Sequence, residues 1–229
     1  MITRRLLTAG LGMTATGCAA LAARPAGEPP VRWLFDNLDE IGGNPVHLEG
    51  APTLVMSPWG KAVQFNGRDD GVFLDIHPLA GATTFTFEAL FRPDGGAFEQ
   101  RWFHLQEIGS EGLATDTRML FEIRTRDGEW WLDAFAKGQG YNHTLIDPEK
   151  RFPVNRWFHV AQTFDGRMYR SFVDGVVQAE APLTYRPQGT GRCSIGCRYN
   201  RVSPFKGAVR AAAFSRLALA PDKFVLGQT

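Results

Sequence analysis

The dipeptides Asn66-Gly67, Asp70-Gly71, Asp94-Gly95, Asp127-Gly128, Asp165-Gly166 and Asp174-Gly175 punctuate this chain between short apolar and aromatic runs. Asn-Gly and Asp-Gly enter the positive-φ corner of a two-residue hairpin at little cost, so a chain cut in this way is constrained to antiparallel hairpins. The runs between them alternate with period two. Phe85, Phe87, Ala89 and Phe91 fall on one face of 84–92, while Thr86, Glu88, Leu90 and Arg92 fall on the other. Met119, Phe121 and Ile123 likewise oppose Leu120, Glu122 and Arg124, and Phe158, Val160, Gln162 and Phe164 oppose Trp157, His159, Ala161 and Thr163. Roughly ten to fourteen strands are expected, too many for one flat sheet. The fold class is therefore all-β, with two antiparallel sheets packed face to face as a sandwich or jelly roll. Helix is expected only in the leader and for one turn over 221–224, where Pro221 suits a first helical position.

Charge excludes one large class of partner. Lys plus Arg is 25 and Asp plus Glu is 24, a net charge of +1, so no overall field holds a polyanion and nucleic acid is not an expected partner. The chain has 3 Cys, one of them in the leader, which leaves too few for a disulfide scaffold or a four-thiolate zinc site. Cys193 and Cys197 are read as core thiols. If 192–198 is one strand, four residues separate their Cα atoms by ~13 Å, beyond the reach of a disulfide at about 7 Å.

Residues 1–23 read as an export signal: Arg4-Arg5-Leu6-Leu7 resembles a twin-arginine leader, and Ala15-Thr16-Gly17-Cys18 resembles a lipobox in which Cys18 becomes the lipidated residue. A rival cut after Ala20-Leu21-Ala22 releases a soluble periplasmic protein instead. Residues 24–30, with Pro25, Gly27, Pro29 and Pro30, form a short tether, and 31–229 form one domain. No apolar run after the leader reaches the ~18 residues of a membrane span. The expected location is periplasmic, with the membrane touched only through a lipid anchor to the outer membrane.

Chemistry concentrates between Glu99 and Tyr141. Parity places Trp102, His104 and Gln106 in one row, Glu122 with Arg124 in a second, and Trp131 with Asp133, Phe135 and Lys137 in a third. If these rows line a ligand-bearing sheet face, the indoles stack on a sugar while carboxylates and Arg bind its hydroxyls. The competing reading is a lattice in which Glu122 and Asp133 answer Arg118 and Arg124 across neighbouring strands.

Three further strings act together: Trp157-Phe158-His159-Val160-Ala161 followed by Asp165-Gly166, then Phe172-Val173-Asp174-Gly175, then Ser194-Ile195-Gly196 through Asn200 to Phe205-Lys206-Gly207. With Ala62-Val63-Gln64-Phe65-Asn66-Gly67 and Phe85-Thr86-Phe87-Glu88 upstream, the sequence resembles bacterial laminin-G-like jelly rolls of the concanavalin A-like superfamily over about 31–229. The resemblance implies a glycan or another envelope component as ligand and, in many members, bound calcium, for which Asp36, Asp69 and Asp70 are the candidate ligands. Against calcium stands the ordinary role of a turn Asp, which binds its own backbone. The fold does not fix one activity. The glucanase signature E-x-D-x-x-E is absent: Asp39-Glu40-Ile41 is followed by Gly42-Gly43. His104, Gln106, Arg124 and Tyr141 supply the residue types of a polysaccharide lyase, but their order differs from that of alginate lyases. The sequence is accordingly read as a non-catalytic carbohydrate-binding module of the cell envelope, using Trp102, His104, Gln106, Glu122, Arg124, Trp131, Asp133 and Tyr141. The alternatives are a lyase or glycoside hydrolase on the same fold, and a purely structural domain.

Overall fold

The computed structural model describes residues 28–227, so the leader and Cys18 lie outside the described residues. Among the described residues, eighteen strands and one 3-10 turn, Pro221–Lys223, make up the regular structure. The excess over the expected range comes from Glu40–Ile41, Asn44–Pro45, His47–Glu49 and Phe152–Pro153, pieces of two or three residues, too short to leave an alternation in the sequence.

Sheet 1 runs in the order Val176–Pro182, Met168–Val173, Phe158–Phe164, Phe85–Pro93, Lys206–Ser215, Gly60–Asn66, Thr53–Ser57, and Val31–Leu34 also pairs with Lys206–Ser215. Sheet 2 runs Tyr141–Ile146, Glu129–Gly138, Ala114–Arg126, Glu99–Ile108, Gly191–Ile195, Gly71–Leu74, His47–Glu49, and Phe152–Pro153 pairs with Glu129–Gly138. Chain neighbours are repeatedly split by strands from far away in sequence, the mark of a jelly roll.

The core lies between the sheets and is largely aromatic. The Phe87 ring of sheet 1 sits 4.5 Å from Phe121 and 4.9 Å from Phe103 of sheet 2. The faces expected from alternation, Phe85 to Phe91, Met119 to Ile123, and Phe158 with Val160 and Phe164, all turn inward. Gln162 is the polar member of its row and spans the two sheets. Its Nε2 donates to the Leu120 carbonyl at 2.6 Å and its Oε1 accepts from the Tyr169 hydroxyl at 2.5 Å, so a fully buried amide is satisfied.

Two of the hairpin corners are of the expected primed type: Asp127 and Gly128 have φ of 55° and 80°, and Asp174 and Gly175 have 47° and 77°. Asp70-Gly71 is not a hairpin corner. Gly71 opens the Gly71–Leu74 strand, and the Asp70 carboxylate pins two other segments by accepting from the N–H groups of Ala51 and Asn66, each at 2.8 Å. The strand expected over 192–198 is shorter. Gly196 ends it at φ 89°, where a Cβ would lie 2.1 Å from a Phe65 ring carbon. Cys193 and Cys197 are both free and buried, and burial pushes the Cys197 thiol up to about 11.

The outer face of sheet 1 is closed by the C-terminal segment. Phe224 packs on Ala161 and Phe172, and Leu226 on Leu90, Ala211 and Ala213. Among the described residues no helix is long and apolar enough to cross a membrane. The outer face of sheet 2 has a different character.

Candidate functional site

Three adjacent strands of sheet 2 bring charged residues into register. Glu122 lies opposite Arg101 on one side and Asp133 on the other, while Arg124 lies opposite Glu99 and Trp131. Leu120 sits between His104 and Phe135. After Gly196 the chain turns back over this face, and the Tyr199 N–H donates to His104 Nδ1 at 2.8 Å. The loop thereby brings Arg198 beside the charged strands.

Between them is a cleft of about 160 Å³ lined by Arg101, Arg118, Arg124 and Arg198 with Glu122 and Asp133. Arg124 Nη2 is ion-paired with Asp133 Oδ2 at 2.7 Å, and Arg101 Nε donates to Glu122 Oε1 at 2.9 Å. Glu99 pairs with both Arg101 and Arg124 from the rim. Burial and the neighbouring Glu122 outweigh the Arg124 contact and push the Asp133 carboxyl up to about 7. Its Oδ1 is buried with no hydrogen-bond partner. Burial, then the charges of Arg198 and Arg118, hold His104 well below the usual imidazole range, so the ring is neutral. Because Nδ1 accepts from Tyr199, Nε2 carries the proton, and it too is buried without a partner.

Glu122, Arg124 and Asp133 are thus brought together in the cleft, with His104 on the same face beneath Tyr199, and four of the expected residues are placed differently. Trp102 leaves the row it was expected to share with His104. The pairing of Glu99–Ile108 with Ala114–Arg126 slips between Phe121 and Glu122, a β-bulge that turns Trp102 and Phe103 both into the core. There the indole stacks 4.3 Å from Phe91 and 5.2 Å from Phe121. Gln106 is spent on structure: its Nε2 donates to the carbonyls of Glu107, Thr115 and Thr117, beside the second irregularity of the same strand pair. Tyr141 belongs to the core cluster, where its hydroxyl donates to the Arg186 carbonyl and accepts from Gln188 Nε2, and burial raises it to about 12. Trp131 shares the outer face with Asp133 but is 4% exposed, covered by Phe98 and by the Arg151 guanidinium 5.3 Å from its ring. The lyase set therefore does not converge.

The aspartates considered for calcium each accept hydrogen bonds from nearby donors, as a turn Asp ordinarily does. Both Asp70 oxygens accept backbone N–H groups, Asp69 accepts from the Asn66 amide and Asp36 from the Asn37 amide. Among the described residues no group of three or more His, Cys, Asp or Glu is arranged to hold a metal.

A second cavity, of about 470 Å³, adjoins the loop on the same sheet and escaped the sequence reading. His47, Phe73 and Tyr199 supply rings, and Asp75, Arg192 and Arg201 supply charge. Arg201 lies 4.5 Å above the Phe73 ring and forks onto Glu49, and Arg192 pairs with Asp75 at 2.8 Å. The Asp75 side chain is 87% exposed, so its hydrogen-bonding capacity faces water. The signal was the string Arg198-Tyr199-Asn200-Arg201, legible only as part of a family motif because a loop carries no periodicity.

Residues 66–223 match a laminin G-type family model described as the concanavalin A-like lectin/glucanases superfamily. The chain belongs to that family. No curated protein matches this laminin-G-like chain. Among solved structures it is similar to domain 4 of AbnA, a GH43 extracellular arabinanase from Geobacillus stearothermophilus in complex with arabinotriose, at 18% identity and TM-score 0.62, covering 84% of this chain and 94% of that one. It is also similar to the binding domain of Paraclostridial Mosquitocidal Protein 1, at 12% identity and TM-score 0.61, over 85% of this chain and 50% of that one. NanB sialidase from Streptococcus pneumoniae, as its K499G mutant, follows at 16% identity and TM-score 0.55, over 76% of this chain and 27% of that one. At these identities the shared property is the jelly-roll fold.

Proposed function

We propose that this laminin-G-like domain is a non-catalytic carbohydrate-binding module whose ligand lies across the outer face of sheet 2. The observation that carries the reading is the pairing, on one open face, of the 470 Å³ ring-lined cavity with the charged cleft. A cavity of that size falls in the ~300–1,000 Å³ range of small-ligand sites. Tyr199 and His47 offer faces for the apolar side of a sugar, while Asp75 and Arg192 offer acceptors and donors for its hydroxyls. The arabinotriose bound to the similar arabinanase domain supports the choice of ligand class. On a glycan array the purified chain is expected to bind a defined set of oligosaccharides saturably, and Tyr199→Ala to weaken that binding about tenfold or more, within the range for an aromatic anchor. Absence of binding to any glycan overturns the reading in favour of a structural domain.

A second reading rests on Asp133 and Glu122, two carboxylates in register, the first raised to about 7 and the second paired with Arg101. Such a split is what a glycoside hydrolase needs of its acid and its base. The cleft opposes it: about 160 Å³ is well short of the space for two sugars flanking a scissile bond. New reducing ends that disappear with Asp133→Asn would establish it.

Export and anchoring belong to the same proposal, on the strength of Arg4-Arg5 and of Ala15-Thr16-Gly17-Cys18. Expressed in a bacterium, the full chain is expected to incorporate labelled palmitate, and Cys18→Ala to abolish the incorporation.

A further inference from the structure

The arginines of the cleft are unequally compensated. Arg101 is shared between Glu99 and Glu122, and Arg124 among Glu99, Glu122 and Asp133, so these two guanidiniums are neutralised within the fold. The ion-pair partner of Arg118 is the 83% exposed Asp116 at 3.5 Å, a pair that water screens. The Arg118 guanidinium otherwise donates to the Asp116 carbonyl at 3.0 Å and lies 5.1 Å from the Phe135 ring. The Arg118 side chain is itself 14% exposed, and its Nε is a buried donor with no partner. Arg198, on the loop above, makes no side-chain ion pair or hydrogen bond among the described residues, although both residues line the same cleft. Burial, and after it the repulsion from Arg198, lowers Arg118 from the ordinary guanidinium range. His104 beside them is neutral and holds a further unspent donor at Nε2.

Buried donors without acceptors and like charges held together both cost stability, and an oxyanion seated between them removes both costs. The space fits such a group: 160 Å³ corresponds to roughly five waters at ~30 Å³ each. We infer that the Arg118 and Arg198 end of the cleft is a subsite for one oxyanion, a carboxylate or sulfate carried on a sugar, which makes the ligand an acidic glycan. The identification of the ligand as a glycan rests on the function proposed above; the oxyanion subsite rests on the arginines alone. A saccharide seated over Tyr199 would reach both cavities, since the loop that carries Tyr199 to one carries Arg198 to the other.

Two measurements separate the parts. Inorganic sulfate, free of any sugar, is titrated while the Arg118 Nε–H resonance is followed by NMR. A saturable shift in the wild-type chain, lost in Arg198→Gln, is expected, and no response at Arg118 overturns the subsite whatever glycans bind. Trigalacturonate, its methyl ester and a sulfated neutral trisaccharide are then compared by calorimetry. The acid or the sulfate ester is expected to bind about tenfold or more tighter than the neutral ester, the usual return on charge-assisted hydrogen bonds, with the preference abolished by Arg198→Gln and reduced at high salt. Which of the two wins assigns the anion to a uronate or to a sulfated sugar. Equal affinity for acid and ester overturns the inference and leaves the carbohydrate reading standing. A sulfate response with no saccharide binding upholds the anion subsite and removes the carbohydrate reading.

Discussion

The two outer faces of this sandwich start from the same material, period-two strands with charged residues pointing away from the core, and end differently. On sheet 1, Glu88 and His159 face outward and are buried by the chain's own tail. Glu88 accepts from His159 Nε2 and from the Leu226 N–H, each at 3.0 Å, and from the Val225 N–H at 3.2 Å, and Phe224 closes the site. On sheet 2 the loop after Gly196 covers the equivalent residues but leaves some of them unsatisfied. Asp133 Oδ1, Arg118 Nε and His104 Nε2 are out of contact with water and also without partners. On sheet 1 His159 Nδ1 is also buried without a partner, but the Glu88 carboxylate is covered and satisfied by three donors and serves stability. The three unsatisfied groups on the one outer face of sheet 2 are what the proposed ligand would satisfy.

Substitutions that sharpen this contrast should differ in size and in kind. The largest effect is expected from Glu88→Ala, which strands His159 and two backbone N–H groups. About 3–5 kcal/mol should be lost, read as a lowered urea midpoint at unchanged slope, whereas the isosteric Glu122→Gln on the other face should cost less, about 1–2 kcal/mol, because Arg101 keeps Glu99 and Arg124 keeps Asp133.

Next comes a pH effect confined to sheet 2. Asp133 titrates at about 7 in the folded chain, above its value of 3.8 when free. Between these values the folded state binds a proton that the unfolded state does not. The resulting stability is complete below 3.8 and is lost as pH rises through 7. A loss on the order of 3 kcal/mol is expected from this group between pH 4 and pH 8, and denaturant melts of Asp133→Asn should lack that part of the slope. Protonating Asp133 also removes a negative charge facing Arg124 and Arg101, with Glu122 and Glu99 the remaining anions around it, so oxyanion affinity should rise as pH falls through 7.

The smallest change in stability is expected at Arg198. Arg198→Gln should leave the melting midpoint within about 0.5 kcal/mol of wild type, as for an ordinary surface substitution, while changing anion binding.

Much of the fold was legible because alternation and hairpin dipeptides report directly on the two sheets. The rows Phe85 to Phe91 and Met119 to Ile123 faced inward as read. The site was only partly legible. Glu122, Arg124 and Asp133 could be placed on a common face because their strands run regularly through those positions. Trp102 could not, since one extra residue at a bulge reverses the parity of everything before it, and nothing in the local string announces the slip. Tyr141 and Gln106 looked chemical by type and serve packing and carbonyl capture by position. Arg198 and Tyr199 escaped because they sit on a loop, where side-chain direction is set by contacts made across the sheet, such as the one to His104.

On the proposed function, binding occupies the outer face of sheet 2 and leaves that of sheet 1 untouched. The most direct measurement is a map of amide and arginine resonances of the chain titrated with the tightest-binding oligosaccharide. The account predicts saturable shifts at Arg118, Arg192, Arg198 and Tyr199, with His159, Phe172 and Phe224 unmoved. Shifts clustered around Glu88, His159 and Phe224, with the arginine cleft silent, would contradict it.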